Sequence, residues 1–348
     1  MKKEIVHKCE LCRRKVADKT NSHIVPSFII CRNASSDGSG KRNHELVYSI
    51  GKTVQVVYTG NEVPLEVLER NFDNLSDERI DDELKKNTLS KDYVFCSSCE
   101  KALGDYLESP YAADKKVDVQ TAYYFWLSIL WRVNHFETLN CKMPKFILTE
   151  LRKTLFTYLQ AKRELVNPVI VQQKYPFNYR ILTCKGYSID GAGCFYAEYD
   201  KSNRIFSITL GDLIVCYNFK GDSLPDNYCF LGIEEELKQA PSNDGVETEE
   251  ERMVTKDIFD KAYSNLVNKA SVLYLNNEVT MIGRLWNELI KRHYVMPSIS
   301  PSNPFIQRCL EIIHDDKKKV GERYTNQNFA ISFGAALSEI YGIDVSNE

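Results

Sequence analysis

Between residues 118 and 165, apolar side chains recur three and four positions apart. Val119, Ala122, Tyr123, Trp126, Ile129, Leu130 and Val133 mark the face of one helix. Phe146, Leu148, Leu151, Leu155, Phe156 and Leu159 mark a second, with Pro144 between the two. The period then changes. "NPVIVQQ", "RILTCKGYSI", "GCFYAEYD", "RIFSITLGDLIVCYNF" and "YCFLGI", across 168–233, are short, rich in β-branched and aromatic residues, and separated by Gly, Asn and Asp. This predicts an antiparallel sheet, with "YDKSNR" at 199–204 as a hairpin turn and "GYSIDGAGCF" as a hairpin loop. "PSNDGVETEEER" at 241–252 predicts a flexible acidic linker. Helical spacing returns over about 253–270, again in "NNEVTMIGRLWNELIKRHY", and in "NPFIQRCLEIIHDDKKK", which opens on Asn303 with Pro304 as first helical residue. Ahead of all this, residues 1–110 hold two short β-like runs, "HELVYSIG" and "KTVQVVYTG". They also hold a loop-like run at 35–43 and an acidic helical piece opening at Ser76. The chain therefore reads as α+β. A small N-terminal module at 1–110 precedes an α+β domain at 111–348, made of helices 118–165, sheet 168–233, linker 241–252 and helices 253–348.

Composition narrows the function classes. The 348 residues carry a net charge of −3, so the whole molecule is not a generic polyanion binder. Any nucleic-acid contact needs a local basic patch. Residues 1–19 offer one: Lys2, Lys3, Lys8, Arg13, Arg14, Lys15 and Lys19 stand against Glu4, Glu10 and Asp18. No apolar run follows "MKKEIVHKCE", and "TAYYFWLSILWRV" at 121–133 is too short and polar to span a bilayer, so a cytoplasmic location is expected. There is no GxxxxGK[ST] and no G-x-S-x-G. Gly186, Gly191 and Gly193 do not open a helix after a strand, which sets aside nucleotide hydrolysis, α/β-hydrolase chemistry and dinucleotide binding.

The cysteines change the picture. Eleven is an odd total, which argues against a complete disulfide framework, and close pairs in a reducing compartment bind metal. Cys9-x2-Cys12 and Cys96-x2-Cys99 are two such pairs, and four thiolates satisfy tetrahedral zinc. The 83 residues between them exceed a zinc ribbon's spacing, so folding must join the two knuckles. The other seven cysteines are scattered singly and read as core residues. His23 follows the first pair within "SHIVP", where Pro26 keeps Val25 out of a helix.

A C-x-x-C knuckle, then "SHIVP" at 22–26, then "CSSCE" at 96–100 resembles the HNH, or ββα-metal, nuclease motif over roughly residues 5–108. It is also similar to bacterial SHI-x-P / C-x-x-CE proteins of unknown function, some of which resemble antiviral defence components. The resemblance implies a zinc-stabilised ββα-like module that cleaves or binds DNA or RNA. In it the zinc is structural and His23 is a general base that activates water. A catalytic Mg²⁺ or Mn²⁺ would stabilise charge on the phosphodiester. Two positions depart from the pattern. Ser22 stands where a metal-ligating acid is usual, and Glu100 where His or Asn is usual. Glu100 is able to ligate magnesium, or else simply opens a helix after the knuckle. Asn74, before Leu75, best matches the motif's middle Asn; Asn33 and Asn71 are alternatives, and His44 is a further unassigned residue. Arg132 is expected to pair with an internal carboxylate rather than with phosphate. The competing reading is a non-catalytic, zinc-stabilised binding protein that works through its C-terminal domain, with a protein partner.

Overall fold

The computed structural model describes residues 7–33, 47–50, 54–57, 89–113, 117–137, 139, 141–164, 173–187, 194–320 and 324–343. The predicted helix at Ser76, the 35–43 loop, His44, Asn71 and Asn74 lie outside the described residues. The first elements are strand β1 (Ser22–His23), helix α1 (Ser27–Asn33), strands β2 (Val47–Ile50) and β3 (Val54–Val57), strand β4 (Ser90–Lys91) and helix α2 (Ser97–Leu103). β2 and β3 pair antiparallel where the two β-like runs predict strands. One π-helical turn, Gly104–Glu108, carries α2 into the short helix α3 (Ser109–Ala112).

Helices α4 (Val119–His135) and α5 (Lys145–Arg163) are the predicted pair. Asp118 caps α4 by accepting a hydrogen bond from the Thr121 amide at 3.0 Å. α5 buries one face, Ile147, Leu148, Leu151, Leu155, Tyr158 and Leu159, and leaves the other wet. α4 has no wet face from Thr121 to Asn134, all of which are buried. Its polar side chains must therefore find partners inside the protein. Asn134 donates to the Leu130 carbonyl at 2.9 Å and accepts from the Met143 amide at 3.1 Å. Ser128 donates to the Phe125 carbonyl at 2.9 Å. Tyr124 of α4 stacks on Tyr158 of α5 with ring centroids 3.7 Å apart.

The opposite side of α4 meets a five-stranded sheet. Strands β5 (Asn178–Thr183), β6 (Phe195–Asp200), β7 (Ile205–Leu210) and β8 (Leu213–Asn218) lie in the order β6-β7-β8-β5, all antiparallel. "YDKSNR" does turn β6 into β7. Most of the predicted loop at 186–195, residues 188–193, lies outside the described residues; the strands before and after it, β5 and β6, are not neighbours in the sheet. Nor is "YCFLGI" a strand. Leu231 (φ 52°) and Gly232 (φ 73°) turn the chain with left-handed backbone, and Tyr228, Phe230 and Ile233 are buried without ladder bonds. A short apolar run is equally compatible with a packed turn.

The acidic run at 241–252 is not a free linker. It follows helix α6 (Glu234–Gln239) and ends in strand β9 (Arg252–Met253), which pairs parallel to Leu182–Thr183 of β5. Asn243 exchanges backbone hydrogen bonds with Tyr179 at 2.9 and 2.8 Å. Glu249 turns inward and accepts from Trp126 Nε1, Tyr179 and Tyr111, each at 2.8 Å. Three aromatic donors offset part of the cost of burying the carboxyl, and they fix the strap across α4 and the sheet edge.

The chain forms two compact units, one of residues 1–63 and 81–267, the other of residues 64–80 and 268–348. Helix α7 (Lys256–Lys291) is continuous where the spacing predicts two helical stretches. In the second unit, helices α8 (Asn303–Val320) and α9 (Asn326–Tyr341) pack around Trp286, Phe305, Ile313, Phe333 and Leu337. Glu278, buried there, accepts from Lys317 at 2.5 Å and contacts His314 Nε2 at 3.0 Å. Among the described residues, no helix is long and apolar enough to cross a membrane.

Candidate metal centre

The first knuckle is a tight backbone turn. The Arg13 amide donates to the Cys9 carbonyl at 2.7 Å, the Cys9 amide to the Lys15 carbonyl at 2.8 Å, and Lys8 bridges Val16. Arg13 takes left-handed backbone (φ 56°), which lets the chain leave the turn directly after Cys12. The second knuckle is the start of a helix. Cys96 sits at the N-cap of α2 in extended conformation, and the amides of Cys99 and Glu100 donate to its carbonyl at 2.9 and 3.0 Å.

Backbone pairing closes the long sequence gap between the knuckles. The Glu10 amide donates to the Val94 carbonyl at 2.9 Å, the Tyr93 amide to the Lys19 carbonyl at 2.6 Å, and the amides of Asp18 and Lys19 share the Phe95 carbonyl at 3.2 Å. Asp18 also reaches the first turn of α2, accepting from the Ser97 amide at 2.6 Å and its hydroxyl at 2.8 Å. Those two bonds hold the Asp18 carboxyl below its ordinary value.

All four sulfurs, of Cys9, Cys12, Cys96 and Cys99, are buried and lie within 4.8 Å of one another. Cys12 and Cys96 Sγ are 3.9 Å apart. A disulfide needs about 2.05 Å, whereas two corners of a tetrahedron with zinc–sulfur bonds of about 2.3 Å are roughly 3.8 Å apart. The donor set fits a structural zinc ion with no open position. Its proton chemistry points the same way. A hydrogen bond from Cys99 draws Cys9 down to about 4, while the same contact drives Cys99 far up. A bound dication favours the thiolate form of its cysteine ligands. No other group of three or more His, Cys, Asp or Glu with ligand atoms this close occurs among the described residues.

His23 and Glu100 flank this centre. β1 pairs with β4, Ser22 opposite Lys91 and His23 opposite Ser90, and the Ile24 amide donates to the Leu89 carbonyl at 2.7 Å. Pro26 then opens α1, accepting from the Ile29 and Ile30 amides. Ser22 is fully buried, and its side chain lies against the Glu100 carboxyl, which projects from the first turn of α2. Burial pushes Glu100 up, opposed by Ser22 and by the Arg132 charge. The Nε2 atom of His23 and the Oε2 atom of Glu100 are both shut off from solvent.

Arg132 anchors this arrangement from the core helix. It donates to the His23 carbonyl at 2.9 Å and to Glu108 Oε1 at 2.7 Å, and two further contacts reach Ser128. The expected internal carboxylate is thus Glu108, the last residue of the π-helical turn, which no sequence signal marks. Asn33 is elsewhere. It donates to the Leu210 carbonyl at 2.8 Å and accepts from the Asp212 amide at 3.0 Å, which docks α1 on the β7–β8 turn.

No protein-family model, no curated protein and no solved structure matches this chain. The reading of its function rests on the site itself.

Proposed function

We propose that this protein is a zinc-stabilised effector that acts on nucleic acid through its N-terminal HNH-like module and cleaves phosphodiester bonds there. The observation that carries the reading is the grouping of the "SHIVP" strand and the "CSSCE" helix turn beside one four-cysteine cluster, with Ser22, next to His23 in the chain, against Glu100. His23 would take the proton from the attacking water. Its backbone is pinned for that task by β4 on one side and by Arg132 on the other. Glu100 would supply the hard oxygen ligand that Ser22 lacks, and Mg²⁺ or Mn²⁺ there would stabilise charge on the phosphate and leaving oxygen. The zinc is structural in this scheme. The remainder of the chain would regulate the module or bind a protein partner, in a cytoplasmic, antiviral-defence setting.

The test is incubation of purified protein with plasmid DNA and with RNA, each with Mg²⁺ or Mn²⁺, beside His23→Ala and Glu100→Gln. Cleavage by wild type that drops at least about a hundredfold in His23→Ala is expected. Equal cleavage by wild type and His23→Ala would remove His23 from the mechanism. The closed position of Nε2 and Oε2 favours a second reading, a non-catalytic binding protein. Absence of any cleavage with either metal and either polymer selects it.

A further inference from the structure

Beside the first knuckle, on the side of α4 and α5, lies a cavity of about 270 Å³. Arg13, Trp131, His135, Lys142, Lys145 and Arg152 contribute to its wall, together with Leu148 and Thr149. Among the described residues, no acidic one lines it. Two acids stand nearby and are spoken for: Glu10 meets His135 Nε2 at 3.0 Å, and Glu137 pairs with Lys142. Arg13 and Lys145 have no acidic partner among the described residues, so the wall keeps a surplus of positive charge.

Two buried donors make this more than a basic surface. Trp131 is fully buried, and its indole Nε1–H has no acceptor among the described residues. The Nε–H of Arg152 is likewise sealed off and without an acceptor. Native proteins rarely leave buried donors unmatched, and a bound water or ion is one way they are satisfied. Both donors are held in place. Trp131 stacks on His135 with centroids 5.2 Å apart, and Arg152 Nη1 donates to the Leu11 carbonyl at 2.7 Å, inside the knuckle itself. A small tetrahedral anion with several oxygens suits the Arg13 guanidinium and the Lys142 and Lys145 ammonium groups in the wall, and would meet the two buried donors once they turn toward it. The cavity is at the small end for ligand pockets, about 300 Å³ and up, and suits a phosphate with little more than its sugar.

We propose that this cavity is a phosphate-binding site, built on the zinc knuckle and separate from His23, that takes the phosphate of a nucleotide or of a nucleic-acid strand. Because Arg13 and the Arg152 anchor both belong to the knuckle, the site depends on the four-cysteine centre and not on the proposed cleavage chemistry.

Calorimetry on the zinc-loaded, full-length protein tests this with inorganic phosphate, a nucleoside 5′-monophosphate and a twelve-residue single-stranded oligonucleotide. All three are expected to bind and to compete with one another. Trp131→Phe keeps the ring and removes the donor, and should weaken each by about tenfold. Arg13→Gln and Lys145→Gln alter exposed side chains, so the fold is retained. Each should weaken binding and, for the oligonucleotide, flatten the logarithmic salt dependence by about 0.7. An oligonucleotide bound far more tightly than the monophosphate identifies a strand as the source; equal affinities identify the free nucleotide. His23→Ala should bind all three as wild type does, so lost cleavage alone leaves the site standing. No heat from any probe at millimolar concentration, or unchanged affinity in both Arg13→Gln and Lys145→Gln, overturns the proposal.

Discussion

Replacing Cys96 with serine removes one of four sulfurs and, with it, the reason two knuckles 83 residues apart stay together. The magnitude follows from the loop. Cross-linking the ends of a loop of that length removes roughly 4–5 kcal/mol of chain entropy from the unfolded state. The intrinsic binding free energy of a structural zinc, about 10–16 kcal/mol, is larger still. Whole domains are stable by only about 5–15 kcal/mol. Backbone pairs such as Glu10 to Val94 are made between short, largely exposed segments and cannot hold the knuckles at that cost. The expected outcome is that wild type carries about one zinc per chain by elemental analysis. A strong chelator should release it together with a loss of folded signal, and Cys96→Ser should carry none and melt far lower or not fold. Cys229→Ser, at an exposed cysteine outside the cluster, should keep both metal and stability. Because the ligands must be deprotonated, release should become easier as pH falls. Purified wild type with no zinc, melting at the same temperature with and without chelator, would refute the reasoning.

Two other perturbations probe the surrounding lattice. Arg132→Met leaves the His23 carbonyl and the Glu108 carboxylate without their shared donor, at a cost of about 3 kcal/mol. Thermal melting should fall by roughly 6–12 °C, and a change under about 2 °C would show the pair to be dispensable. Glu249 is pushed up by burial, against the pull of its three aromatic donors. A carboxyl whose folded value lies above its unfolded one, about 4.3, adds stability that is complete at lower pH and is lost as pH rises through the folded value. Glu249→Gln should therefore flatten the pH dependence of unfolding free energy above the ordinary carboxyl value of about 4.3. In the same protein, limited proteolysis should leave residues 241–252 uncut, whereas Glu249→Ala should open them to cleavage.

What was legible in the sequence depended on whether a local pattern decided the structure. Three- and four-residue spacing gave α4 and α5 with Pro144 between them, because one buried stripe suffices to identify a helix. The knuckles were legible because ligand chemistry demands paired thiols. The encirclement of α4 was not. Thr121, Ser128, Arg132 and Asn134 look like a polar face until the partners that bury them are known. Glu249 is the sharper case. In "GVETEEER" it cannot be told from its exposed neighbours, and only the hydroxyls of Tyr111 and Tyr179 and the indole of Trp126 turn a linker into a strap. The crossover between β5 and β6 also lies outside local pattern, since strand order is set by which edges meet. The candidate site divides in the same way: the four cysteines come together as their spacing implies, while Glu108 and the basic cavity appear only once α2, α4 and α5 are in place.

The four-cysteine centre is more than an appended clip. Cys9, Cys12, Cys96 and Cys99 belong to the same apolar core as Trp126, Leu155 and Tyr217. Three long side chains reach from the helices into the knuckle segments and end on backbone carbonyls: Arg132 on His23, Arg152 on Leu11, and Arg163 on Ser98. Asn33 makes a fourth tie, to the sheet. Carbonyl contacts of this kind read chain position rather than side-chain identity, so they require the knuckles to be correctly folded before the arginines are satisfied. Loss of the metal should therefore disturb the contacts of Arg132, Arg152 and Arg163 as well as the cluster itself. The folded state of the whole N-terminal segment is then coupled to the state of four sulfurs.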